Sequence, residues 1–298
     1  MKIPKLGCVP SRIRPAPVAS VLLAGLLMQI AGIALAQGGA KPWEVPGTNA
    51  SDIIAGPDGG IYVWVPPGTF RMGSTEADIK ATEQFGMQAI WLKQETPAHQ
   101  VQLSHGFWLG RSEVTNRQFR IFCTATNTPC PRKIDQGDDN PVVLVNWQEI
   151  QDYCRHFGTR LPTEAEWEWA ARGPEERRYP WGQEFEWGKC RRCRCSWANL
   201  DSETCPVGQF AAGASWCGAV DMAGNVWEWC ADWYDKAYYG RSPDADPRGP
   251  EAGEVRVTRG GSWRSTPENC RTTARVGADP TARLNYLGFR CAISPKQQ

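Results

Sequence analysis

Histidine is scarce in this 298-residue chain: His99, His105 and His156 are the only three. That is too few for a histidine-rich metal centre, and each reads most simply as a packed or surface side chain. An excess of either charge is missing too. Thirty-three Lys and Arg face 32 Asp and Glu, a formal charge of +1, so no field gathers nucleic acid or an anionic membrane surface. No internal repeat is visible, and no linker interrupts residues 60 to 298, so that stretch reads as one domain. What is abundant is less usual: 15 Trp, 12 Cys, 30 Gly and 23 Pro. With 41% apolar residues the chain can bury a proper core, but so much Gly and Pro excludes a helical bundle and implies irregular backbone.

The first segment reads as an address. Lys2, Lys5, Arg12 and Arg14 precede an apolar run from Val18 to Leu35 that ends in Ala34-Leu35-Ala36, a small-x-small cleavage pattern. The alternative is an uncleaved anchor, but a run of about 18 residues falls short of the roughly 20 that span a bilayer, and no positive stop follows it. No twin arginine precedes the run and no cysteine follows the cleavage point, which argues against a folded-export signal and a lipoprotein. We therefore expect residues 1–36 to be a signal peptide, with the mature chain periplasmic or secreted and free of a membrane span. Residues 37–60 are a Gly/Pro-rich arm, and 61–298 form the domain.

Export governs the cysteines. Cys8 leaves with the leader and an odd number, eleven, remains, in a compartment where most thiols pair. Cys190, Cys193, Cys195 and Cys205 have spacings that suit a four-thiolate zinc site, or disulfides stapling a loop that also carries Arg191, Arg192 and Arg194. The oxidising compartment favours disulfides; the arginines would also lower a neighbouring thiol's pKa, leaving a reactive thiol as the lesser reading. Cys123 and Cys130 bracket a helix end and a short loop, where a local bridge is expected.

Regular structure concentrates in the first half. Strands are expected at residues 61–65 and 69–74, and a strand pair within 101–115. Three helices have start signals. Thr115 with Gln118 precedes Phe119, Phe122 and Cys123; Asn146 precedes Ile150, Tyr153, Cys154 and Phe157; Thr163 with Glu166 precedes Trp167, Ala170 and Ala171. The polar insert 75–95 has only weak helix signal. After Gly173 regular signals fade, apart from short strands near 255–259 and 287–292.

A series of phrases carries a resemblance. They are Pro67-Gly-Thr-Phe-Arg-Met-Gly-Ser74, Glu95-Thr-Pro-Ala-His99, Glu113-Val-Thr-Asn116, Pro141-Val-Val, Val145-Asn-Trp147, and Arg160-Leu-Pro-Thr-Glu-Ala-Glu-Trp-Glu-Trp-Ala-Ala-Arg172. Tyr179-Pro-Trp-Gly182, Gly224-Asn-Val-Trp-Glu-Trp229, Arg259-Gly-Gly-Ser-Trp263 and Leu287-Gly-Phe-Arg290 follow in order. From about residue 60 to 292 the chain resembles the formylglycine-generating enzyme, or sulfatase-modifying factor, family. The resemblance implies one α+β domain with much irregular structure, related to the C-type lectin fold.

It also implies particular site residues. The family enzyme oxidises a substrate cysteine using two cysteines, five apart, that hold copper(I). Counting from Gly260-Gly261-Ser262 puts Ser265 at the first position and Cys270 at the second. A hydroxyl is a hard, weak ligand for copper(I), so the two-thiolate pair is incomplete and copper and formylglycine formation are not supported. In the register counted back from Leu287, Cys270 instead opens a buried strand and has no catalytic counterpart. Sulfoxide synthases of the family use a three-histidine iron site on a helical domain, which has no match here. A family calcium loop maps onto Asp221, Gly224, Val226 and Glu228, with a plain turn as the alternative. A second calcium site would begin at Asn199 and Leu200, with Asp201 a candidate. Trp263, Arg264 and Arg275 fall in the family's substrate-groove region, where the arginines could hold a carboxylate. Trp187, Trp197, Trp216 and Trp233 share that half, either as groove or as packing. Two functions remain open: oxidative maturation of a protein or peptide-derived substrate, or noncatalytic binding by a calcium-stabilised module.

Overall fold

The structure, a computed structural model, describes residues 40–83, 92–132, 134, 137–190 and 204–296. The leader 1–36 lies outside the described residues, as do Cys193, Cys195, Trp197, Asn199, Leu200 and Asp201. Residues from Lys41 onward form one compact unit.

Strand β1 (Ile53–Ala55) pairs with β2 (Ile61–Val65), β2 with β5 (Phe107–Gly110), and β5 with β10 (Ala292–Ile293), all antiparallel. Pro66 and Pro67 end β2. The chain then enters β3 (Gly68–Met72), which pairs with β4 (His99–Leu103) and points Phe70, Met72, Val101 and Leu103 inward on the alternation a half-buried strand requires. A third sheet has the order β8 (Arg275–Ala278), β7 (Arg256–Arg259), β6 (Trp227–Trp233), β9 (Leu287–Gly288), with β9 parallel to β6. Short strands with long irregular connections and, among the described residues, four α-helices make this the expected α+β domain.

Helices α2 (Asn116–Thr126), α3 (Trp147–Phe157) and α4 (Glu164–Arg172) each start on the capping box read in the sequence or, at α3, on Asn146 with Glu149 closing the box. In each, two backbone N–H groups that a helix N-terminus leaves unbonded are satisfied reciprocally. Helix α1 (Glu76–Glu83) occupies the insert with weak helix signal. β6 lies where regular signals fade: Glu228, Trp229 and Cys230 are buried in succession, so it lacks the polar alternation that marks a strand. The strand expected at 287–292 is two short ones, interrupted at Phe289 to Cys291 where Arg290 turns inward.

Helix α4 is buried almost throughout, including Glu164, Glu168 and Arg172. Buried charges need partners. Glu164 receives two hydrogen bonds from Arg275, at 2.6 and 2.8 Å, and one from Arg259 at 3.1 Å. Glu168 receives Arg259 at 2.5 Å and Arg172 at 3.1 Å. This network ties α4 to β7 and β8, and apolar cores flank it: one around Trp167, Phe70 and Val257, the other around Tyr153, Phe119 and Phe289.

Candidate functional site

β7 ends at Arg259 and the chain reverses through Gly260 and Gly261, whose φ values of 94° and 75° suit glycine alone. A Cβ on Gly261 would fall 2.9 Å from the sulphur of Cys270, so the glycine lets that sulphur pack against the backbone. Cys270 closes a short 3₁₀ turn, Pro267–Cys270, and is fully buried. It does not open a strand, contrary to one of the two registers: β8 begins five residues later at Arg275. Ser265, at the position of the family's first cysteine, turns its hydroxyl back to accept from the Ser262 N–H at 2.9 Å. Cys190 and Ala223 pack with Cys270 in a small buried cluster, shielded by Trp181 and Phe185. Beside it Tyr179 stacks on Trp181 with centroids 5.4 Å apart, and burial pushes the phenol of Tyr179 up to about 12.

Two bonds sew this loop to the one before it. Gly224 N–H donates to Gly260 C=O and Trp263 N–H to Asn225 C=O, both at 2.8 Å. Asp221, Gly224 and Asn225 all take positive φ, and the Asn225 side chain holds Cys205 through backbone N–H (3.1 Å) and C=O (3.3 Å).

Carboxylates crowd behind that turn. One oxygen of Asp221 accepts from Gly208 N–H, while its other, Oδ1, is buried without a hydrogen bond. Glu113, from the segment before α2, is buried with both carboxylate oxygens unsatisfied. Burial, then the charges of Asp221 and Glu228, hold the carboxyl of Glu113 well above its usual range; burial raises Asp221 as well. Glu228 is engaged differently: Arg290 donates to both its oxygens at 2.6 Å and Trp167 Nε1 adds a bond at 2.8 Å. Glu113 belongs to a phrase of the resemblance, yet its role was missed. Spacing ties together residues of one loop, and Glu113 arrives from more than a hundred residues upstream.

The groove residues divide. Arg264 is exposed, with its guanidinium 5.6 Å from the ring centre of Trp263 and 5.1 Å from that of Tyr286, a cation–π surface next to the Cys270 loop. Arg275 does not belong there. It is fully buried and already holds a carboxylate, that of Glu164, which corrects its assignment to a substrate groove. Trp216 packs on Trp169, and Trp233 lies 3.4 Å from the guanidinium of Arg256; both serve packing. Trp187 is exposed. Of the sulphurs, Cys123 and Cys130 remain thiols and not the expected bridge, and burial, then the neighbouring Cys130, pushes the Cys123 thiol up to about 12. Cys154 and Cys291, not paired in the sequence reading, lie 3.9 Å apart.

This α+β frame, with its glycine reversal and buried thiol beside a carboxylate-backed turn, is that of a formylglycine-generating-enzyme-type domain. Residues 57–295 match the family model described as a sulfatase-modifying factor enzyme 1-like domain, and the chain belongs to that family. It is 33% identical to the formylglycine-generating enzyme of Thermomonospora curvata over 85% of this chain and 98% of that protein. It is 32% identical to the hercynine oxygenase of Mycolicibacterium thermoresistibile over 70% of this chain and 55% of that one. The solved structure of PvdO from Pseudomonas aeruginosa superposes with a TM-score of 0.70 at 26% identity, covering 83% of this chain and all of that one.

Proposed function

We propose that this chain is an exported maturation factor that oxidatively modifies a protein or peptide-derived substrate, with dioxygen as electron acceptor. The observation that carries the reading is the buried sulphur of Cys270, set against Gly261 in the segment that holds the family's thiols. Formylglycine formation by thiolates five apart is not proposed, since Ser265 spends its hydroxyl on the Ser262 N–H. Arg264 and the half-buried Tyr286, backed by the buried Trp263, would receive the substrate, the Tyr286 ring binding apolar side chains and Arg264 a carboxylate.

Calcium would serve structure. Among the described residues no three Asp, Glu, His or Cys side chains converge as a ready-made site. The cation would therefore combine Asp221 and Glu113, whose oxygens lack partners, with carbonyls of Gly224 and Val226; Glu228 would share oxygens already held by Arg290. The donor set fits a hard divalent ion, which would neutralise carboxylates that burial otherwise drives toward protonation.

The full burial of Cys270 favours a second reading, a noncatalytic binding module, because a substrate must displace packing to reach the thiol. One experiment separates them. The mature protein, reduced and loaded with copper(I), is mixed with thiol-bearing or tyrosine-bearing peptides while oxygen uptake and peptide mass are followed. Uptake with a matching mass change, lost in Cys270→Ser, is the expected result. A folded protein that binds peptide without uptake decides for the module.

A further inference from the structure

We propose that Cys190 supplies the second thiolate of a soft-metal site with Cys270, replacing the thiol that Ser265 lacks. The inference deepens the oxidative reading and rests on it for the identity of the ion, copper(I). Its geometry stands separately. Cys190 and Cys270 are eighty residues apart, yet among the described residues they share a buried cluster with Ala223. Trp181 and Phe185 pack against this cluster and give it two aromatic neighbours.

Copper(I) favours few, soft donors in a dry setting, which two sulphurs under aromatic rings provide and a hydroxyl does not. Gly261 contributes by absence: any side chain there would meet the Cys270 sulphur at 2.9 Å and push it away from its present seat. Ser265, committed to its own turn, offers nothing in exchange. The second donor thus comes from the loop after Tyr179–Trp181. Binding forms two thiolate–metal bonds and releases two protons, with no change in oxidation state.

The test is anaerobic titration of the reduced full-length mature protein with copper(I) against a chromophoric bicinchoninate competitor, alongside the ultraviolet sulphur-to-metal absorption. Wild type should take one equivalent, and Cys190→Ser or Cys270→Ser should weaken the affinity by roughly 100-fold or more. A second variant guards against misfolding: adding Ser265→Cys to Cys190→Ser rebuilds a thiolate pair within one segment and should restore binding. Wild-type affinity in Cys190→Ser, no binding by reduced wild type, or loss without rescue by Ser265→Cys each overturns the inference. Copper held by both sulphurs without any peptide oxidation defeats the oxidative reading and leaves the site standing. Undiminished turnover in Cys190→Ser does the reverse.

Discussion

Arg275 illustrates how a side chain's role depends on what faces it. In the sequence it is a cation near a groove; in the fold it is enclosed and joined to Glu164 by two bonds. Arg275→Met would leave Glu164 buried with less compensation, and urea unfolding should show a loss of about 3–5 kcal/mol. Arg264→Ala, at an exposed position, should stay within about 0.5 kcal/mol of wild type in the same assay. Asp232 yields a pH prediction. Burial, then the charge of Glu164, pushes its carboxyl up to about 8. Between about pH 4 and 8 the folded chain keeps a proton that the unfolded chain releases, so this group's stabilising contribution is full below that window. It is lost as pH rises through it, by at most ~1.4 kcal/mol per unit. Asp232→Asn keeps an acceptor for the Glu164 N–H and should flatten that slope when unfolding is measured at pH 5, 6.5 and 8.

At the scale of elements, legibility follows local chemistry. The starts of α2, α3 and α4 were readable because a capping box is written within four residues. Thr163→Ala should therefore cost about 1 kcal/mol in urea unfolding, through loss of the bond to the Glu166 N–H. β6 was not readable, since a strand buried on both faces shows no alternation. Sulphur pairing divides on the same ground. Cys123 and Cys130 are close in sequence, so a bridge between them can be expected from spacing, although the structure leaves both as thiols, whereas Cys154 on α3 and Cys291 before β10 meet only through folding. Folding in a mildly oxidising buffer should give both cross-links in a non-reducing peptide map; a map with neither would assign all four thiols to packing alone.

For the whole molecule, the family phrases revealed the architecture and drew attention to Cys270, Ser265 and the 221–228 turn. They could not show that Glu113 and Asp221 would come together with unsatisfied oxygens, because that depends on how the segment before α2 packs against the later turn. If calcium bridges them, chelation should lower the melting temperature of wild type and change that of Glu113→Gln much less. Equal shifts, or none in wild type, would show that the carboxylates are held without a cation.

The two backbone bonds from Gly224 to Gly260 and from Trp263 to Asn225 have an engineering consequence. The acidic bend and the sulphur-bearing reversal are halves of one clasp, so neither can be grafted onto a new host alone. A donor segment cut to residues 259–271 would arrive without the template that shapes it, and swaps between relatives should preserve function only when both halves travel together.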